Sequence, residues 1–110
     1  MILASFLIPV ADNQGQMFSH EHFDDLLNRL VRDFGGCTDL DHCWGIWKSP
    51  TGHTHSERNR NFQVAISSWL YFPLFLDTIA WAQRAFGQEA IYVVVAGIPE
   101  VLDQWGQHSE

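Results

Sequence analysis

Phe23, Leu26, Leu27, Leu30, Val31 and Phe34 recur at i, +3, +4, +7, +8 and +11, an apolar stripe that an α-helix gathers onto one side. Ser19 stands where an N-cap is needed, and Glu21 and Asp24 put negative charge in the first turn, where the helix dipole favours it. Gly35-Gly36 ends the run, because glycine readily takes the left-handed conformation past a helix terminus.

The flanking segments read as strands and one more helix. Ile2 to Val10 is a continuous apolar run that suits a central strand with both faces covered, and Asp12 to Gln16 is a polar turn. From Thr38 to Lys48, Leu40, Trp44 and Ile46 fall on one face and Asp39, Asp41 and Trp47 on the other, an imperfect strand with a bulge expected at Gly45. Ser49-Pro50-Thr51-Gly52 is turn chemistry, and the return strand to Ser67 turns Phe62, Val64 and Ile66 inward. Pro73 sits near the start of a second helix, Leu74 to Phe86, closed by Gly87. Ile91 to Ala96 is a last strand, followed by a polar tail, about residues 99–110, that contains Trp105. No internal repeat or low-complexity tract interrupts this order.

The order β-α-β-β-α-β predicts one ferredoxin-like α+β domain over residues 1–110: a four-stranded antiparallel sheet in spatial order 4-1-3-2, with both helices on one face. A chain of 110 residues holds one core and no second domain. The last strand would then form an edge that is apolar on both faces, beside a bare sheet face carrying Tyr92 and Val94. With five Trp and eight Phe, this surplus predicts a homodimer, most simply with two-fold symmetry, through the open face or the edge.

A net charge of −7 argues against nucleic acid and against anionic membrane surfaces, both of which need clustered cations. The N-terminal apolar run lacks a basic start and is shorter than the ~20 residues of a membrane helix, so a cytoplasmic protein is expected. Cys37 and Cys43 form no CxxC and read as two reduced thiols.

Two groups of residues carry candidate chemistry. His53 and His55 share a face if extended, and Glu57 at the same parity completes a three-ligand set for a metal. Solvated turn histidines explain the same pair without a metal, and His20 and His22 lie about 200° apart on a helix, too far round to share an ion. Around the hairpin, Trp44, Trp47, Glu57, Arg58 and Arg60 lie close to Asp39 and Asp41. They form either cross-strand ion pairs with aromatic packing or a ligand cleft walled by Trp47, in which His55 or Glu57 moves a proton. The first loop has no Arg to hold phosphate, as acylphosphatase-like chemistry needs. The central strand carries no basic residue for RNA, and no P-loop, GxGxxG or GxSxG occurs.

Phe23-x-x-Leu26-Leu27, Phe34-Gly35-Gly36-Cys37-Thr38, Gly45-Ile46-Trp47, Ser56-Glu57-Arg58 and Phe86-Gly87-Gln88-Glu89-Ala90-Ile91, taken in order, resemble a family of small bacterial proteins of unknown function. The resemblance covers most of residues 18–95; Gly35 departs from it, since the family tends to have Pro there. It implies a bacterial origin and the same fold, implies no activity, and nominates Trp47, Glu57, Gln88 and Glu89 as residues to mutate. The functional expectation is a homodimeric, non-catalytic module that binds a small ligand or a protein partner and needs no cofactor. The alternative is a small dimeric enzyme acting on a hydrophobic molecule in a cleft between sheet and helices, with His55, Glu57 and Trp47 as candidates; Trp44, Trp47, Arg58, Gln88 and Glu89 are the candidate ligand-binding residues.

Overall fold

The helical stripe folds as its spacing predicts. In the computed structural model, which describes residues 1–103, α1 spans His20–Phe34 and buries Phe23, Leu26 and Leu30. Ser19 accepts the His22 backbone N–H, and Gly35 closes the helix at φ 80°, a left-handed value that costs glycine no Cβ clash.

The strands are β1 (Ile2–Pro9), β2 (Thr38–Lys48), β3 (Thr54–Ile66), β4 (Ala90–Val95) and β5 (Ile98–Asp103). They make one sheet in the order β2-β3-β1-β4-β5, and every pairing is antiparallel. Its first four strands take the expected 4-1-3-2 order; the fifth corrects the expectation of four. The segment read as the start of a polar tail is a strand to Asp103, and the rest of that tail, with Trp105, lies outside the described residues. Ala96 and Gly97, both at positive φ, make the two-residue turn that returns the chain as a hairpin. Pro99, with no N–H to give, sits on the outer strand where the sheet tolerates it. Strand β4 is therefore no edge: β1 and β5 flank it.

Both helices cover the face to which Ile2, Ala4, Phe6 and Ile8 of β1, Phe62, Val64 and Ile66 of β3, and Ile91 and Val93 of β4 point, all buried in one cluster with Phe75, Ile79 and Ala82 of α2 (Phe72–Ala85). Pro73 occupies the first turn of α2, after a single 3₁₀ turn, Trp69–Tyr71. Gln83, buried within α2, donates from Nε2 to the carbonyls of Glu89 and Leu102 and so ties β5 to the helix. The other sheet face has no helix. There Leu3 is 54% exposed and Tyr92 44%, so β1 is covered on one face rather than two. Among the described residues no helix is long and apolar enough to cross a membrane.

Strand β3 outruns its inner neighbour. Strand β1 pairs it only from Asn59 to Ile66, so the stretch from Trp44 to Arg58 is a two-stranded ribbon with no third strand.

Candidate functional site

The irregularity in β2 falls at Asp39–His42 rather than at Gly45. There the register against β3 shifts and Asp41 adopts φ 83°. A left-handed aspartate is uncommon and is held in place locally: its backbone N–H donates to Asp39 Oδ1 (3.1 Å), and its own Oδ1 accepts the His42 N–H (2.8 Å). Gly45 keeps its place for another reason, since a Cβ there would stand 3.1 Å from the Asn59 amide nitrogen.

The bulge turns Asp39 onto the helix side of the sheet, opposite Phe62, where Arg60 donates from Nη2 to Asp39 Oδ2. The Arg60 guanidinium lies over two rings, 4.3 Å from the centroid of Phe23 and 5.0 Å from that of Phe62. Burial works against ionising Asp39, but the Arg60 hydrogen bond, the Asp41 N–H and the nearby cations together hold its carboxyl below the usual carboxylate value. Asp41 is lowered as well, first by the His42 backbone N–H and then by the His42 ring.

These residues form one wall of a groove of about 760 Å³ between β2, the loop after β1 and the start of α1. Asp39, Asp41, His42 and Arg60 face Asp24, His20 and Phe23 of α1, and Met17 and Phe18 close its end. Phe18 is fixed by edge-on contacts with Phe23 and Phe86. The groove thus joins aromatic surface to three carboxylates and one arginine, a chemistry that suits a cation attached to a flat ring. A second cleft, about 300 Å³, lies between the end of α1, the start of β2 and the β1–β3 pair, and the one titratable group in its lining is Cys37. Burial raises that thiol, with Asp39 adding to the effect, so it stays protonated; both cysteines are free.

The residues nominated from sequence mostly lie elsewhere. Strand parity places His55, Glu57 and Trp47 on the open sheet face, opposite the groove, so Trp47 walls no cleft between sheet and helices. Trp47 and His55 stack across the strands, ring centroids 4.3 Å apart. His53 lies in the turn, its N–H donating to Ser49 Oγ. Among the described residues no three His, Cys, Asp or Glu side chains could hold a metal, so the His53–His55–Glu57 set is not assembled. Trp44 and Arg58 pair with each other on the groove side but lie outside its lining. Gln88 donates to the Phe86 carbonyl and Glu89 receives Gln83, both at the end of α2. Asp24, His20 and Phe18 were missed; the acidic first turn of α1 was visible, but not that the bulge in β2 would face it.

No family model and no curated protein matches the chain. Two solved structures are similar to it. A phage SAM lyase in complex with S-methyl-5'-thioadenosine superposes with a TM-score of 0.71 at 12% identity, over 93% of this chain and 88% of that one. A phage SAM lyase in the apo state gives 0.68 at 12% identity, over 99% and 90%. At that identity the likeness is one of fold.

Proposed function

We propose that the groove between α1 and β2 binds a small molecule that joins a cation to an aromatic base, of the S-adenosyl sulfonium class, and that the chain is a small lyase acting on it. The reading is carried by Asp24 of α1 and Asp39 and Asp41 of β2 lining one groove with the rings of Phe18 and Phe23. The fold shared with a SAM lyase over nearly the whole of both chains supports it. We also read the first four strands and two helices as a ferredoxin-like core, to which β5 is added.

In this reading the aromatic groups hold the base, Asp24 and Asp41 face the sulfonium and ammonium, and Arg60, bonded to Asp39 and laid over Phe23 and Phe62, fixes the wall between them. Cleaving the carbon–sulfur bond sends both bonding electrons to sulfur, which leaves as a neutral thioether, while an oxygen of the ligand's own carboxylate bonds to the carbon left behind and closes a lactone. No acid is needed for that departure, and neither Asp39 nor Asp41 is held protonated, both being shifted the other way.

That same absence of a poised acid fits a second reading, a non-catalytic module that only holds the ligand. Thermal-shift and calorimetric titration with S-adenosylmethionine, S-methyl-5'-thioadenosine and adenosine, with products followed by mass spectrometry, separates the two. A raised melting temperature with release of S-methyl-5'-thioadenosine is expected; a raised temperature without product favours the module. No shift with any of the three would sink both.

A further inference from the structure

Beyond Asn59 the β2–β3 ribbon has no third strand, and an isolated two-stranded ribbon is marginal in water. Cross-strand register puts Trp44 opposite Arg58, Ile46 opposite Ser56 and Lys48 opposite Thr54, all on one face. That face exposes Trp44 at 67% and Ile46 at 73%, flanked by Lys48 and Arg58, which make no salt bridge among the described residues, though Arg58 lies near enough to act on Asp41. The ribbon is net positive, with Lys48 and Arg58 against Glu57, on a chain whose overall charge is −7.

The first half of α1 is its electrostatic opposite. Glu21, Asp24 and Asp25 are exposed and, among the described residues, make no salt bridge. Glu21 and Asp25 stand four residues apart, a like-charge spacing that costs an isolated helix stability. Further along the same side come Asn28 and Arg32, the latter paired with Asp33, so the acidic surface is confined to the first two turns.

We propose that the ribbon is an arm that seats Trp44, Ile46, Lys48 and Arg58 on the acidic, N-terminal half of α1 in a second copy of the chain. Opposite charge on two surfaces of one sequence selects that partner: each copy offers both an arm and a landing site. The contact is heterologous, and it closes when two copies exchange arms or when several form a ring. It differs from the expected homodimer through the open face or the edge; β5 occupies the edge of β4, and Asp24 of the landing site also lines the groove.

The test is the mass of the full chain by light scattering at micromolar concentration. The wild type associates in low salt, and raising sodium chloride to about 1 M weakens its association roughly tenfold or more. The arm reversal Lys48→Glu/Arg58→Glu and the helix reversal Glu21→Lys/Asp25→Lys are each monomeric alone, and mixing them restores a complex. A wild type that stays monomeric in low salt overturns the proposal, as does association that neither reversal alters. Circular dichroism checks that each variant folds. If either reversal does not, Trp44→Gln with Ile46→Gln takes its place, and association unchanged by that pair overturns the proposal equally.

Discussion

Arg60 donates to Asp39 across the β2–β3 pair while its guanidinium rests on the rings of Phe23 and Phe62, so one side chain ties the bulged strand to α1. The ion pair alone contributes little, because Asp39 keeps 42% of its side-chain surface in water and screening is strong there. Most of what Arg60 contributes is contact with the two rings. Arg60→Met, which keeps a long stem but not the charge, is expected to cost about 1 kcal/mol, and Arg60→Ala about 2. Urea unfolding of both variants measures the difference.

The same pair has a pH signature. The folded-state pKa of Asp39 is lowered, so its contribution is present above the unfolded value of about 3.9 and is lost as pH falls through the lower folded value. The wild type should exceed Asp39→Asn in stability at neutral pH by less than about 1 kcal/mol, a gap that closes below about pH 4. Melting temperatures of the two proteins across that range check the sign; a gap that widens in acid would contradict it.

Asp41 gives an ordered series. Its φ of 83° favours Gly and Asn, and its carboxylate also accepts the His42 N–H. Asn keeps both properties and should match the wild type. Gly relieves the backbone but loses the acceptor, for a net change within about 0.5 kcal/mol, whereas Ala loses on both counts and costs about 1–2. Val should be worse still. Thermal melts would refute this account if Ala proved more stable than Asn.

The elements legible from sequence were those whose information is local. Ser19, the Phe23-to-Phe34 stripe and Gly35 specify α1 residue by residue, and Phe62, Val64 and Ile66 alternate as a buried strand must. Strand β5 was not legible because Pro99 and Glu100 break its apolar alternation; only the Ala96-Gly97 turn signalled a return. The groove was illegible for a different reason. Its wall depends on a register shift at Asp39–His42, and a one-residue slip exchanges the two faces of a strand. The shift moves Asp39, read on the Trp47 face, to the helix side beside Phe62, whereas the open-face position of Trp47, His55 and Glu57 follows from the alternation of β3 itself. The carboxylates before the hairpin and Arg60 were in view, but their partners on α1 lie far off in sequence.

That exchange of faces yields a direct comparison. If the groove holds the ligand, Asp24→Asn and Asp41→Asn remove charge from its wall and should weaken binding of S-adenosylmethionine about tenfold each, the usual scale for one charge-assisted contact. His55→Ala and Glu57→Gln, on the open face, should leave affinity within about twofold, although loss of the Trp47 stack lowers stability by a few tenths to about 1 kcal/mol. Isothermal titration on all four variants decides between the faces. Weakened binding in His55→Ala and Glu57→Gln, with Asp24→Asn and Asp41→Asn unaffected, would return the site to the side that the sequence had suggested.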